Sequence, residues 1–188
     1  MRLAISLLLL LLSGCASLPA PVAAPPLKQA VIPSFQLHGR ISVRHDTQAF
    51  SGNLDWRHTP TEDSFLLLSP LGQGVARINR DAQGVRLQTS DGKILQAPDA
   101  ESLTQRALGF ALPLTGLAQW VQAQAQSTDA QLRYGNDGST EKLSEQGWQI
   151  EYFNYRPVDG GLLPAKIYME GAGISLRLVV DSWQAPAP

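Results

Sequence analysis

Strict alternation of apolar and polar residues is the feature that most limits how this chain can fold. In FQLHGRISVR, residues 35–44, every second side chain from Phe35 is apolar or a glycine, and the residues between them are mostly polar or charged. A period of two belongs to a β-strand, and one polar face indicates a strand that covers a core on one side only. The segment FSGNLDWR at 50–57 repeats the pattern. Two half-buried strands are therefore predicted at the start of the folded region.

Further short apolar runs continue this pattern along the rest of the chain. They lie at 85–87, 148–152, 167–169 and 174–180, and turn-forming sequences such as SDGK, GNDG and EGAG separate the segments. Glycine, asparagine and aspartate at such positions favour tight turns between neighbouring strands. The sequence therefore predicts a mainly β fold with short helices, an antiparallel meander that curls around one apolar interior.

Two segments in the middle of the chain have helical rather than strand periodicity. DAESLTQRALG begins at Asp99, a favourable N-cap residue, and ends in a glycine. PLTGLAQWVQAQ begins at Pro113 and places apolar residues three and four positions apart. Two short amphipathic helices are predicted, able to close over the apolar face of the sheet. The interior between helices and sheet is either packed solid or hollow, and periodicity does not distinguish the two.

The first fifteen residues have the pattern of an export signal with a lipid attachment site. The apolar run 3–12 is too short to span a bilayer, which takes about 20 apolar residues, and has the length of a signal-peptide core. LSGC, ending at Cys15, resembles the bacterial lipobox, in which the cysteine is acylated and becomes the first residue of the mature protein. A buried or incidental cysteine is the alternative interpretation.

These patterns predict three parts of the chain. Residues 1–14 are the signal peptide, 15–33 are the lipidated N-terminus with a proline- and alanine-rich tether, and 34–188 are one folded domain. Prolines among small residues favour an extended connection. Several acyl chains hold a protein on a membrane far more firmly than one. Ala16 is not the aspartate that retains lipoproteins at the inner membrane, so we predict a lipid anchor in the outer membrane, with the domain facing the periplasm.

Charge and motif content argue against several functional classes. The net charge is −1 and there are no basic runs, which argues against a nucleic-acid partner. His38, His45 and His58 form no metal-type pair with each other or with cysteine, and no serine lies in a Gly-x-Ser-x-Gly motif. We therefore predict a monomeric, non-enzymatic protein with no metal and no cofactor. A hydrolase whose residues converge only in the fold is the alternative.

The segment FLLLSPLGQG at 65–74 places a large apolar residue where a turn is expected. Pro70, Leu71 and Gly72 have the composition of a β-turn, and turns normally lie at the surface. Leu71 either folds back onto the core or is exposed to water as a contact for a membrane or an acyl chain.

Taken in order, these segments resemble the LolB family, the outer-membrane lipoprotein receptors of Gram-negative bacteria. The resemblance covers nearly the whole mature chain: the lipobox at Cys15, then FQLHGRISV, GNLDWR, FLLLSPLGQG, LGFALPLTGLAQWVQ, WQIEYFNY and LPAKIYMEGAGISLRLVVDSW. Each motif alone is weakly specific, and their order and spacing together carry the resemblance. The region before the first strand and the tail QAPAP after Trp183 depart from the family pattern.

The resemblance implies an incomplete antiparallel β-barrel with a helical lid over a hydrophobic cavity. It also implies a role: accepting acylated lipoproteins from the soluble periplasmic carrier LolA and inserting them into the outer membrane. The family's protruding loop matches Leu71 and favours an exposed, membrane-inserting residue there.

Apolar residues from the strands and helices could line such a cavity and its lid. They are Leu37, Leu54, Trp56, Phe65, Leu67, Leu114, Leu117, Trp120, Val121, Trp148, Ile150, Ile167, Ile174, Leu176 and Leu178. For each one separately, ordinary core packing is the alternative. The alternative function is that of a structural or assembly lipoprotein that uses the same fold as a protein-binding module. A large void between sheet and helices would favour the receptor, and a solid core would favour the module.

Overall fold

The computed structural model describes residues 28–112 and 114–184. Cys15, the signal peptide and most of the tether lie outside these residues, so the lipidation and the domain boundaries remain predictions. The described strands are β1 (Phe35–His45), β2 (Gln48–His58), β3 (Asp63–Leu68), β4 (Gly74–Asp81), β5 (Gly84–Thr89), β6 (Ile94–Ala97), β7 (Gln131–Tyr134), β8 (Thr140–Glu145), β9 (Trp148–Val158), β10 (Gly161–Gly171) and β11 (Ile174–Gln184).

All of the described strands belong to one antiparallel sheet. Its order is β6-β5-β4-β3-β2-β1-β11-β10-β9-β8-β7, so the first and last strands pair in the middle of the sheet. Within the described part of the chain, β6 and β7 are the two edges and do not pair with each other. The sheet therefore curls into a barrel that is not closed, which confirms the predicted fold class.

The first predicted helix forms as expected, because its ends are specified locally. Helix α1 (Ala100–Leu108) begins after Asp99, whose side chain accepts a hydrogen bond from the backbone amide of Ser102. It ends at Gly109, which has a left-handed φ of 85° and closes the last turn. Leu103 on its inner face is fully buried.

The second predicted helix is shorter than its periodicity suggests. A 3₁₀ turn (Leu114–Gly116) is followed by a single turn of α-helix, α2 (Leu117–Trp120), and the chain then bends at Ala123, where φ is 57°. At Gly116, where the 3₁₀ turn gives way to α2, the side chain of Gln126 occupies the space where a Cβ would lie, so a larger residue does not fit there. None of the helices in residues 28–112 and 114–184 is long and apolar enough to cross a membrane.

Antiparallel pairing gives the barrel two distinct ends. The β1–β2, β3–β4, β5–β6, β8–β9 and β10–β11 turns lie together at one end, which we call the tip end. The β2–β3, β4–β5, β7–β8 and β9–β10 turns lie at the opposite end.

That opposite end is crossed by residues 28–32, which we call the strap, and is named the strap end. The backbone of Ala30 donates to the carbonyl of Leu162 at 3.0 Å, and the amide of Leu162 donates to the carbonyl of Lys28 at 3.0 Å. Gly161 permits this contact, because its φ is 151° and an added Cβ would lie 2.3 Å from the Lys28 oxygen. The strap is therefore an integral part of the domain.

The solid core lies mainly against β1 and β8–β11 and extends to Trp56 on β2 and Phe65 on β3. Trp120 and Trp148 lie with their rings 5.9 Å apart, and Ile150 and Ile167 are fully buried beside them. Trp56 stacks on Phe65 with ring centroids 4.8 Å apart. A second, smaller cluster joins α1 to β5 through Val85, Leu87, Ala100 and Leu103.

Two buried carboxylates tie these elements together. Asp63, 5% exposed, accepts hydrogen bonds from Trp56 Nε1 at 2.9 Å, His58 Nδ1 at 2.7 Å and Arg80 Nε at 2.6 Å. Burial raises the pKa of Asp63, but the hydrogen bonds from His58, Trp56 and Arg80 outweigh it and hold the pKa below the usual value of 3.8.

Glu145 plays the same part for α2 and the segment that follows it. It is 5% exposed and accepts hydrogen bonds from Trp120 Nε1 at 2.6 Å and from the backbone amides of Gln126 and Ser127. Burial raises the pKa of Glu145, but the Ser127 hydroxyl, the Trp120 indole and these amides outweigh it, so the pKa lies below the usual 4.5.

We expect the protein to lose stability in acid because both carboxylates have lowered pKa values when folded. Their contribution is complete above the unfolded values of 3.8 and 4.5 and is lost as the pH falls through the lower, folded values. Urea unfolding measured from about pH 6 to pH 3 should show the decline. Glu145→Gln should be less stable near neutral pH by about 1–3 kcal/mol and should lose less on acidification. Equal acid losses in both proteins would contradict this role.

Candidate functional site

A cavity of about 520 Å³ lies inside the half of the barrel that the solid core does not fill. It is enclosed by β1–β6, by α1 and by residues 110–112 and 114–117, which we call the lid. The apolar lining residues are Ile41, Val43, Ala49, Phe50, Leu54, Phe65, Leu67, Val75, Ala76, Ile78, Leu87, Leu95, Leu103, Ala107, Leu108, Phe110, Leu112, Leu114, Leu117 and Leu176. Its size is within the range of about 300–1,000 Å³ that is usual for small-molecule sites.

Polar lining residues are confined to the tip end, with one exception. His45, Gln48, Thr89, Asp91 and Lys93 lie in or beside the β1–β2 and β5–β6 turns. Asp91 and Lys93 are exposed to water and pair at 2.8 Å. The cavity therefore opens at the tip end and has an apolar interior behind a polar rim.

The exception is Thr104, whose hydroxyl is hydrogen-bonded within α1 and to the lid. Its hydroxyl donates to the carbonyl of Ala100 at 2.8 Å and accepts a hydrogen bond from the amide of Leu112 at 2.8 Å. The interior thus offers no free directional partner from this side chain, and its walls suit a ligand that has no polar groups of its own.

The lid is also held at the mouth of the cavity. The ring of Phe110 stacks on His45 of β1 with centroids 4.4 Å apart and an angle of 28° between the planes. Phe110 is 9% exposed, so this contact covers the cavity between the end of α1 and the first strand.

The structure divides the predicted cavity residues into two groups. Leu54, Phe65, Leu67, Leu114, Leu117 and Leu176 line the cavity. The others pack in the solid core, where each is no more than 7% exposed: Leu37, Trp56, Trp120, Val121, Trp148, Ile150, Ile167, Ile174 and Leu178. For this second group the structure shows core packing, the alternative interpretation of each residue.

Sequence reasoning did not assign several residues that dominate the cavity wall. Leu103, Ala107 and Leu108 come from α1, and Ala76 and Ile78 come from β4. In the sequence, Leu103, Ala107 and Leu108 have the spacing of one apolar helix face, and this is the signal by which they can be found. The pattern does not indicate which part of the sheet this face covers.

Leu71 is 89% exposed at the tip end. It lies in the β3–β4 turn, where the amide of Gly72 donates to the carbonyl of Ser69 at 2.9 Å and the amide of Ser69 donates to the carbonyl of Gln73 at 2.7 Å. The turn is closed by its own hydrogen bonds, and Leu71 makes no contribution to the core. It is exposed beside the open end of the cavity.

Two other turns in the protein have the same construction, and they show that the backbone of this turn does not require a leucine. In 89–93 and 135–139 the fourth residue is again a glycine with φ near 80°, and its amide again donates to the carbonyl of the first residue at 3.0 Å. The third residue of these turns is Asp91 or Asp137. Since aspartate serves the same turn twice, the leucine at 71 is not a requirement of the backbone.

The surface outside the cavity has few features of a binding or metal site. A wider depression near the β7–β8 turn is shallow and lined by polar groups such as Asn136, Asp137 and Glu141 beside Phe153 and Tyr155. Among residues 28–112 and 114–184, no three His, Cys, Asp or Glu side chains are grouped as metal ligands would be. The apolar cavity is the candidate site.

Comparisons with known proteins agree with this description. The family model described as outer membrane lipoprotein LolB matches residues 33–183. Outer-membrane lipoprotein LolB of Thiobacillus denitrificans is 41% identical over 93% of this chain and 92% of its own length. That of Chromobacterium violaceum is 38% identical over 94% of this chain and 95% of its own length.

A solved structure shows a related fold. A LolA superfamily protein from Nitrosomonas europaea superposes with a TM-score of 0.53 over 82% of this chain and 87% of its own chain. Only 15% of the aligned residues are identical, so the likeness concerns the architecture of an open, curled sheet.

Proposed function

Because the chain belongs to the LolB family of outer-membrane lipoproteins, we propose that it accepts acylated lipoproteins from a LolA-type periplasmic carrier and inserts them into the outer membrane. In this proposal Cys15 carries the lipid anchor, the acyl chains of the cargo occupy the cavity, and Leu71 contacts the bilayer. The protein acts as a receptor and is not assigned a catalytic step.

The observation that carries the proposal is the apolar, water-accessible cavity behind a polar rim. A hollow of about 520 Å³ lined by leucine, isoleucine, phenylalanine and alanine would be costly to keep unless a ligand used it, because unfilled apolar space destabilises a fold. Hydrocarbon chains need such walls and no directional partners. A protein-binding module with the same sheet would gain stability by filling this space, so the void favours the receptor over the module.

The transfer is proposed to run downhill without an energy-yielding site. Each tenfold gain in affinity of the receptor over the carrier corresponds to about 1.4 kcal/mol. Release to the bilayer is favourable because every methylene buried in lipid contributes about 0.8 kcal/mol. The cavity and the membrane then form successive, more favourable environments for the same chains.

The direct test uses a soluble form. Cys15→Ala, exported with a cleavable signal, should give an unanchored protein that still accepts an acylated lipoprotein from the loaded carrier. Acceptance is measured by co-purification of cargo with the receptor after mixing. A non-acylated version of the same cargo is the control and should not transfer.

Failure of the soluble form to take any acylated cargo would contradict the proposal. Equal transfer of acylated and non-acylated cargo would contradict the assignment of the cavity, because recognition would then lie in the polypeptide.

A further inference from the structure

We propose that the tether of this protein has a minimum working length, because it leaves the folded domain at the end opposite to Leu71. The inference rests on the proposed function, in which Cys15 carries the anchor and Leu71 enters the membrane. It adds a requirement that this function alone does not impose: residues 16–27, the part of the predicted tether that precedes the strap, must be long enough to reach from the strap end to the level of Leu71.

The strap determines where the tether leaves the domain. Lys28 and Ala30 are bonded to Leu162, the second residue of β10, and the hydroxyl of Thr140, the first residue of β8, donates to the side chain of Gln29 at 3.1 Å. All of these groups lie at the strap end. Ala30 is 2% exposed, so the chain is held firmly in the domain just after Lys28.

A second anchor of the strap comes from the segment that follows the lid. The side chain of Gln122 accepts a hydrogen bond from the amide of Ile32 at 2.7 Å, and the side chain of Gln29 donates to the carbonyl of Gln122. Gln122 is itself 5% exposed. The strap is thus bonded both to the sheet and to the segment that follows the lid. Releasing it would break the hydrogen bonds of buried polar groups, which is costly.

Leu71 lies a full strand length away from this point. Strand β3 runs from Asp63, which pairs with His58 at the strap end, to Leu68, after which the turn begins. His58 in turn pairs with Phe35, which closely follows the strap. Leu68 pairs with Asn53, five residues along β2 from His58, and Leu71 is three residues beyond Leu68. Eight residues at about 3.3 Å each place Leu71 about 26 Å from the strap end.

The tether is longer than this distance. Thirteen residue steps join Cys15 to Lys28, and a fully extended chain covers at most about 3.3–3.6 Å per step, or about 43–47 Å in total. The tether can therefore pass the domain and bring the tip end to the membrane that holds the anchor. This reach exceeds the distance to Leu71 by about 17–21 Å, which the loss of eight residues would more than remove.

A single change in the orientation of the domain relative to the membrane then allows both acceptance of cargo from the carrier and its insertion into the bilayer. With the strap end towards the membrane, the cavity mouth faces the periplasm and is open to a carrier. With the tether folded back along the domain, the mouth and Leu71 face the bilayer together, because both lie at the tip end. A tether shorter by eight residues would reach about 17 Å and would allow only the first orientation.

The experiment uses the full lipidated protein in liposomes and a variant that lacks residues 18–25. The matched control replaces the same eight residues with glycine and serine, which keeps the length. We expect the deletion to accept acylated cargo from the carrier at the normal rate and to insert it into the membrane at least tenfold more slowly. The control should insert within about twofold of the normal rate.

A third protein sharpens the test. The soluble Cys15→Ala form can approach the membrane in any orientation, so the short-tethered protein should insert cargo more slowly than the form with no anchor at all. Adding Leu71→Asp to the deletion should cause little further loss, since the tip is already kept from the membrane.

Normal insertion by the deletion variant would overturn the minimum length while leaving the receptor function intact. An equal loss in the length-matched control would also overturn it, because the sequence of the tether rather than its length would then matter. Failure of every form, the unmodified protein included, to accept acylated cargo would instead contradict the proposed function.

Discussion

Leu71→Asp is expected to leave cargo acceptance unchanged and to reduce membrane insertion at least tenfold. Burying a leucine side chain contributes about 1.5–3 kcal/mol, whereas an aspartate in the apolar layer costs about 2.5–3.5 kcal/mol. Since about 1.4 kcal/mol is a factor of ten, losing the contact alone accounts for the effect. The backbone should not change, because Asp91 and Asp137 occupy the same position in two turns of the same construction.

The measurement is incorporation of acylated cargo into liposomes from a preformed complex with the receptor. Val31→Asp is the matched control: Val31 is also apolar and 68% exposed, but it lies in the strap at the other end of the barrel. It should insert cargo normally. Normal insertion by Leu71→Asp, or an equal loss in both variants, would remove Leu71 from the mechanism.

Ala76→Phe is expected to abolish most acceptance of acylated cargo while the domain stays folded. Ala76 lies on β4 with its side chain on the cavity wall, and a phenyl ring there would project into the cavity of about 520 Å³ and narrow it. Filling existing apolar space does not require the surrounding side chains to move, so stability should be unchanged or higher. We expect transfer from the carrier to fall at least tenfold.

The control for this variant is Ala82→Phe, the same substitution in the exposed β4–β5 turn at the strap end. It should accept cargo normally. Thermal unfolding of both variants establishes that the loss is not one of folding. If Ala76→Phe is folded and takes cargo as well as the unmodified protein, the acyl chains bind elsewhere.

Strands β1 and β2 were predictable because each of them buries one face, which the alternation in the sequence records directly. Phe35 and Leu37 on β1 and Leu54 and Trp56 on β2 are buried as their spacing predicts. The ends of α1 were equally predictable, since Asp99 and Gly109 form their capping hydrogen bonds with residues three or four positions away. These features depend on local chemistry.

The division between solid core and cavity was not predictable, because it depends on contacts between distant segments. Leu54 and Trp56 share one face of β2, yet Leu54 lines the cavity while Trp56 is packed between Phe35 and Phe65. The indole of Trp56 also donates to Asp63, which draws it into the solid half. No spacing rule separates two residues that differ only in what lies opposite them.

The shortened second helix and the exposure of Leu71 were also not predictable from the sequence. At the second helix, the side chain of Gln126 lies against Gly116, ten residues away, and the helical period does not record that contact. The exposure of Leu71 follows from a self-contained turn whose composition is equally compatible with a side chain folded inward. The fold class followed from the sequence, whereas the position and opening of the cavity required the assembled sheet.

Site-specific photo-crosslinking tests the central claim most directly. A photoreactive residue at Leu117, on the cavity side of the lid, should crosslink to the acyl chains of a lipoprotein delivered by the carrier. The same residue at Phe153, 40% exposed and away from the cavity, should not. Crosslinks to the acylated segment at Leu117 alone are the predicted result. Crosslinking at Phe153 with none at Leu117 would contradict the assignment of the cavity as the acyl-binding site.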